Sequence, residues 1–337
     1  VRVVLVGIGA VGRRTARQLL RDPGLEQLTV VHRNARRAAA AVEGLGDRVV
    51  LRSGRPSDLP PGTDVVVVAA PSAAAAVARA ALGVGAHTVA VADEPHDVRT
   101  LLALDGPARA AGRSVAVGAA MAPGLSCVLA TWASARLDVV EEVHVASYGT
   151  GGPACARRHH AALSSVGTDW YDGAWRRRAG GSGRELVWFP GGVGGADCYR
   201  GGLADPVLLV PAFPGVRRVT VKMEATRRDR FTAPLPMLRR PHPEGTVGAV
   251  RVELRGRLGA AADSVVVGAS ARPALAAGTV AALVAQWAGR GHLARPGAGG
   301  LAELIDEPGT FLREVAARGI AVSVFEGLGA GEVGAGR

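Results

Sequence analysis

The chain has 337 residues, 48% of them hydrophobic and 20% charged, a balance that excludes wholesale disorder and leaves room for about two domains with separate cores. Only 4% are aromatic, so those cores must be built from Val, Leu and Ala. The formal net charge of +11 would suggest nucleic acid, but Lys222 is the only lysine, the arginines are spread through an Ala- and Gly-rich chain, and no recognised reader motif accompanies them; no nucleic-acid partner is expected.

Apolar runs recur at 3–7, 28–32, 48–51, 64–69, 88–92 and 114–118, separated by helical stretches near 10–21, 34–43, 73–83 and 97–111. Short Val-rich runs with helices between them predict an α/β, Rossmann-type doubly wound parallel sheet over residues 1–121. The apolar N-terminus lacks a signal-peptide layout and reads as a strand running into Gly7. The uncharged run Val65–Ala78 contains Pro71 and falls short of the ~20 residues that span a bilayer, so no membrane partner is expected.

In "LVGIGAVGRR", Gly7, Gly9 and Gly12 form G-x-G-x-x-G between the first strand and the first helix. Their spacing permits a tight turn, a close backbone approach to a pyrophosphate and tight helix–strand packing. Gly7, Ile8, Gly9, Ala10, Val11 and Gly12 are therefore the candidate cofactor loop. About 20 residues on, where NAD-binding versions carry an acidic residue, the second strand ends in His32-Arg33-Asn34, followed by Arg36 and Arg37. A carboxylate there would repel a 2′-phosphate, whereas Arg33, with Asn34 and Arg36 beside it, suits one; NADPH/NADP is the expected cofactor. Arg36 and Arg37 equally suit a solvated helix face.

The segments "DVVVVAAPSAAAAVARAALGVGAHTVAVADE" and "LLALDGPARAAGRSVAVGAAMAPGLSCVLA" resemble the saccharopine dehydrogenase family of the saccharopine reductase type, including its Pro-Gly-Leu-Ser-like turn at Met121–Ser126. The resemblance covers about residues 1–135, with the later helix "PALAAGTVAALVAQW" similar to the family's return helix. It implies an NAD(P)-dependent oxidoreductase that transfers hydride to or from a small, carboxylate-bearing amine or imine, or a keto or hydroxy acid. Ala69, Ala70 and Pro71 end the fourth strand on the edge where α/β domains bind ligands and would flank the nicotinamide, and Pro123-Gly124 starts a helix on the same edge, which makes Ala70, Pro71, Met121 and Pro123 candidate cofactor contacts; ordinary helix-start and turn chemistry is the alternative. At the family's fifth-strand Asp stands Ala90; Asp93 and Glu94 follow, and either one replaces that acid or both lead the helix near Asp97. Asp93-Glu94-Pro95 also occupies the Glu-Lys-Pro place of the glucose-fructose oxidoreductase and inositol dehydrogenase family, a sugar-oxidising alternative that lacks its lysine. A third alternative is an inactive NADP-binding sensor.

The second half changes character: strands at 141–149, 219–225, 249–256 and 263–270 lack crossover helices. Val250, Val252 and Leu254 alternate with Arg251, Glu253 and Arg255, which predicts a sheet covered on one side. A second α+β domain with an open, mainly antiparallel sheet is expected over 122–270, for substrate binding and dimerisation. A return helix from Pro273 to about Ala288 and a frayed tail, 271–337, should pack on the first domain; a homodimer is expected. Between these strands, 150–215 reads either as active-site and interface loops or as a weakly patterned region.

That region holds "GGPACARRHH", where His159 or His160 suits general acid work and Arg157 and Arg158 suit substrate carboxylates; a charged dimer rim is the alternative. Cys155 with His159 gives two ligands and no second pair, so no metal is expected. Tyr171 or Tyr199 suits the polar tip of a substrate lid or an interface anchor, and Arg228 in "ATRRDRF" suits an acidic substrate or a solvated strand end. His159, His160, Tyr171 and Glu94 are the candidate catalytic residues. Three cysteines cannot build a disulfide framework and fit a reducing, cytoplasmic setting.

Overall fold

The computed structural model describes residues 1–337 except Arg33, Pro71, Ser72, Leu238, Arg239, Gly327, Leu328 and 333–337. The first half runs β1 (Arg2–Val6), α1 (Ala10–Leu19), β2 (Gln27–His32), α2 (Ala35–Val42), β3 (Val49–Ser53), β4 (Val65–Val68), α3 (Ala74–Gly83), β5 (His87–Ala90), α4 (Pro95–Leu102), α5 (Asp105–Ala110) and β6 (Ser114–Val117). The strands pair in parallel in the order β3-β2-β1-β4-β5-β6. All four residues of β4, and all four of β6, are buried, as continuous apolar runs require when helices cover both faces. The helical stretch expected at 97–111 is two helices, α4 and α5.

The chain continues through α6 (Leu125–Ser134), β7 (Val139–Tyr148), α7 (Pro153–Ser164), β8 (Gly167–Tyr171), β9 (Ala174–Arg178), β10 (Glu185–Phe189), β11 (Gly194–Tyr199), α8 (Asp205–Leu209), β12 (Arg218–Glu224), α9 (Arg227–Thr232), β13 (Gly248–Leu258) and β14 (Ala261–Ala271). It ends with α10 (Pro273–Gly289), β15 (Gly297–Gly300), α11 (Leu301–Leu304), α12 (Pro308–Ala317), β16 (Ala321–Glu326) and β17 (Gly329–Glu332). The second sheet runs β10-β11-β12-β7-β13-β14-β16-β17, with the β8–β9 hairpin attached to β12. Among the described residues, its one parallel contact is β7 with β12; the other pairs are antiparallel. Val250, Val252 and Leu254 are buried against the rest of the core; on the opposite face Arg255 is exposed, but Arg251 and Glu253 are half-buried and Ala249 is buried beside Val187 and Phe189, so that face is open only in part.

Residues 271–337 serve both sheets. α10 packs on α1, β4 and β5, and β15 adds a seventh parallel strand beside β6, but β16 pairs with β14 of the second sheet. Gly278 permits the α10–α1 contact: a Cβ there would lie 2.5 Å from the Arg14 Cβ and 2.8 Å from the Thr15 N. One hydrophobic cluster runs through both sheets, from Leu5 and Val67 through Leu125 and Leu129 to Val145 and Val252. Among the described residues, no helix is long and apolar enough to cross a membrane.

Candidate cofactor and active site

The strand order reverses between β1 and β4, and the crevice at their carboxyl ends is where open α/β sheets bind ligands. The glycine loop fills it. Gly7 has φ +97°, and a Cβ on it would lie 2.9 Å from the Ala69 carbonyl carbon and 2.9 Å from the Ala70 Cβ. A Cβ on Gly12 would overlap the Gly7 carbonyl oxygen, so the first and third glycines let α1 close on β1. Gly9 differs: a Cβ there would meet nothing within 4 Å. It is the N-cap of α1 and no side chain caps the helix, which leaves the first-turn N–H groups without a side-chain acceptor at the positive end of the dipole. These residues fit a dinucleotide pyrophosphate.

Past the end of β2, Asn34 and Arg36 are exposed, at and just after the start of α2, while Arg33 and Pro71 lie outside the described residues. Ala69 and Ala70, at the end of β4, are half-buried.

Beyond the ends of β5 and β6 opens a cleft of about 830 Å³, continuous with solvent, between the two sheets. Met121, Ala122 and Pro123 form part of its wall. Their turn is closed by the Ala120 N–H donating to the Pro123 carbonyl at 3.0 Å and the Leu125 N–H donating to the Ala120 carbonyl at 2.9 Å. Gly124 caps α6 at φ +128°, where a side chain would collide with the Gly118 and Ala120 backbone.

The acid–base groups of the cleft come from both domains. Asp93 follows β5; the Arg158 guanidinium approaches its carboxylate at 3.4 Å and its carbonyl at 3.4 Å. Burial pushes the Asp93 carboxyl up, and Arg158 works against that. Cys155, one helical turn before Arg158, has its thiol pushed up to about 11 by burial and by the nearby Asp93 charge, so it is a neutral wall rather than a nucleophile. His159 Nε2 donates to the Glu224 carbonyl at 2.7 Å. In its neutral form the ring therefore accepts protons at Nδ1, and burial lowers its pKa, which favours that form. Asp205, the first residue of α8, is 2% exposed and accepts a 2.7 Å hydrogen bond from the Ser126 hydroxyl. Burial raises it to about 6.

Other expected site residues stand elsewhere. Glu94 caps α4, accepting from the His96 N–H at 3.0 Å and the Asp97 N–H at 3.1 Å, and Asp93 rather than Glu94 lines the cleft. His160 lies on the next face of α7, lines a different cavity together with Arg228, and donates from Nε2 to the Leu235 carbonyl at 2.8 Å. Arg157 is exposed on α7, outside the cleft lining. Tyr171 is 43% exposed at the end of β8, 5.8 Å beneath the Arg218 guanidinium. Tyr199 is fully buried beside Met223 and Leu163 and cannot serve as a lid tip. Asp205 and Ser126 were not anticipated. The available signal was "LADPVLL", a carboxylate amid apolar residues just before a helix-starting proline. Among the described residues, no group of three or more His, Cys, Asp or Glu could hold a metal ion.

No protein-family model matches the chain, and no curated protein matches it. Solved structures do. Saccharopine dehydrogenase (L-Glu forming) from Saccharomyces cerevisiae superposes with a TM-score of 0.71 at 13% identity, over 96% of this chain and 100% of that one. The C. glutamicum DAP dehydrogenase in complex with DAP gives 0.51 at 17% identity, over 95% and 99%. An engineered D-amino acid dehydrogenase bound to NADP+ gives 0.51 at 16%, over 91% and 95%. Along nearly its whole length, this chain has the fold of saccharopine dehydrogenase.

Proposed function

We propose that the protein is an NADPH-preferring oxidoreductase of the saccharopine dehydrogenase-like type, acting on a small, carboxylate-bearing amine or imine. The observation that carries this reading is the open face of Gly9, on the edge of the sheet that also forms the Asp93 cleft. The fold shared with the yeast dehydrogenase supports it. So does the "HRNARR" segment, which puts arginines where an NAD site would carry an acid.

When bound, the nicotinamide supplies or accepts the hydride. The chain's residues do the rest. The first-turn N–H groups of α1 hold the pyrophosphate, and Met121–Pro123 wall the ring's end of the cleft. Arg158 pairs with a substrate carboxylate. Asp93, disposed by burial to hold a proton, gives it to the substrate nitrogen in reduction and takes it back in oxidation. His159 Nδ1 is a second acceptor beside it.

The test is a fluorescence titration with NADPH and NADH. It is followed by absorbance assays of the bound cofactor against amino, imino, keto and hydroxy acids, in wild type and Asp93→Asn. Tight NADPH binding with turnover of an amine or imine acid, reduced at least about hundredfold in Asp93→Asn, is the expected result. Binding without turnover of any substrate would leave a sensor, and failure to bind either dinucleotide would overturn the reading.

A further inference from the structure

Three carboxylate side chains are buried among the described residues: Asp22, Asp169 and Asp205. Taking a carboxylate out of water is costly unless a cation and hydrogen bonds stand beside it. Two of the three follow that rule, with Arg290 at 2.7 Å from Asp22 and Arg200 at 2.8 Å from Asp169. Asp205 does not. In a chain with 40 Lys and Arg, its carboxylate has the neutral Ser126 hydroxyl and, among the described residues, no ion pair.

Asp205 lines the same cleft as Met121, Ala122 and Pro123, and Ser126 ties it to the first turn of the helix that follows them. Burial holds its carboxyl up at about 6, the Asp93 charge adds to that, and the Ser126 hydrogen bond works against it. The other titratable groups on the elements packed around α8 are engaged or turned away. On α6 the Cys127 thiol is pushed up to about 12 and stays neutral. Glu303 on α11 pairs with Arg295 at 3.0 Å, and Asp169 on β8 pairs with Arg200. On α4, Glu94 caps the helix, Asp97 acts on Asp93, and His96 and Arg99 are exposed. β12 sends Val219 and Val221 into the core with Leu208 and Leu209, which puts Arg218 and Lys222 on its opposite side, and Glu224 at its end lines a different cavity. β15 has no titratable side chain.

We propose that Asp205 is the counter-charge to the oxidised nicotinamide: its carboxylate strengthens NADP+ binding in the cleft and does nothing for NADPH. The inference rests on the oxidoreductase reading and adds to it the residue that sets which form of the cofactor the protein favours. The nicotinamide ring is positively charged in NADP+ and neutral in NADPH, so of the two forms only the first gives a buried carboxylate the kind of partner that Asp22 and Asp169 have in arginine. An adjacent cation lowers a carboxyl pKa by about 1–3 units, and by reciprocity ionisation of Asp205 raises NADP+ affinity by the matching factor, about tenfold or more. At about pH 6 the Asp205 carboxyl is about half protonated, and NADP+ displaces that proton. NADP+ affinity therefore rises as pH climbs through about 6 and levels off above it, while NADPH affinity has no such limb. The 2′-phosphate is common to both forms, so its titration cancels from the difference between them.

The test is calorimetric titration with NADP+ and with NADPH at about pH 6 in two buffers of different ionisation enthalpy, which counts the protons released on binding. NADP+ should release about half a proton more than NADPH, and the difference should vanish at about pH 8. It should also vanish in Asp205→Asn, which keeps an acceptor for Ser126, and survive in Asp93→Asn. At about pH 8 the Asp205→Asn protein should bind NADP+ about tenfold more weakly than wild type and NADPH equally well. If Asp205→Asn does not fold, Ser126→Ala decides: loss of the donor that favours the ionised carboxylate should carry the extra release to higher pH. Equal release by the two forms in wild type, a difference that persists in Asp205→Asn or disappears in Asp93→Asn, or a Ser126→Ala release curve unmoved along the pH axis would overturn the proposal. An Asp205→Asn protein that binds both forms like wild type and loses affinity only for an amine substrate would assign the carboxylate to the substrate ammonium and also overturn it. Wild type that binds no dinucleotide defeats the oxidoreductase reading itself; wild type that binds both forms with no difference in protons defeats this inference alone.

Discussion

Replacing Gly9 by Ala is expected to weaken dinucleotide binding by at least about a hundredfold while leaving the fold intact. Gly9 sits at φ −77° and ψ −161°, extended backbone that alanine adopts, and its Cβ would meet no atom within 4 Å. Alanine is a poorer N-cap than glycine by under about 1 kcal/mol, and the stiffer unfolded chain offsets about 0.4–1 kcal/mol. The net change in stability is therefore under about 1 kcal/mol, and Tm should move by no more than about 4 °C. For the cofactor the same methyl group projects into the open space over the helix start. It holds a phosphate away from the first-turn N–H groups, each of which contributes about 1.5–3 kcal/mol to an anion. Losing two such bonds weakens NADPH by at least about a hundredfold. Gly12→Ala is the contrast. Its Cβ would overlap the Gly7 carbonyl oxygen and lie 2.9 Å from the Gly7 carbonyl carbon, so α1 must move and stability falls by about 1–3 kcal/mol. Fluorescence titration with NADPH and thermal unfolding of both variants separate the two effects. A Gly9→Ala protein that binds NADPH like wild type would refute the placement of the pyrophosphate, and one that unfolds like Gly12→Ala would refute the open face.

Glu94→Ala should cost about 1 kcal/mol in stability through loss of the α4 cap and leave kcat unchanged; a large fall in kcat at unchanged stability would return Glu94 to the chemistry. Asp205 is raised from 3.8 to about 6, so the folded state binds its proton more tightly than the unfolded chain. Stability should therefore fall as pH rises from about 4 to 6, by up to about 3 kcal/mol, and Asp205→Asn should flatten that limb in denaturant titrations at each pH. An unchanged limb would show that Asp205 is not the group responsible. Gly278→Ala should lose about 1–3 kcal/mol in urea unfolding because its Cβ would lie 2.5 Å from that of Arg14; unaltered stability would mean that α1 and α10 can separate freely.

The first sheet was legible because its strands are buried on both faces and written in valine, with a glycine loop between strand and helix. β15 was not legible: "GAGG" has a single methyl group as its apolar signal, and it is a strand because small residues fit beside β6, with Asp105 accepting from the Ala298 N–H at 2.9 Å. The 150–215 stretch hid α7 and four strands because its pattern is not amphipathic. α7 carries arginines and histidines that face two cavities, and four of the five residues of β9 "AWRRR" are exposed at an edge. The cleft was half legible. "ARRHH" offers two arginines and two histidines alike; only tertiary packing brings Arg158 and His159 to the cleft, tells Asp93 from its neighbour Glu94, or brings Ser126 to Asp205 from 79 residues away.

The central claim, a phosphate-selective dinucleotide site feeding the Asp93 cleft, is tested most directly by the ratio of the NADH and NADPH dissociation constants in wild type and in the Arg33→Ala/Arg36→Ala double variant. One or two charge-assisted bonds to a 2′-phosphate predict NADPH at least about tenfold tighter in wild type, and equal constants in the variant through loss of NADPH affinity alone. Equal constants in wild type, or a preference that survives the double substitution, would contradict the account.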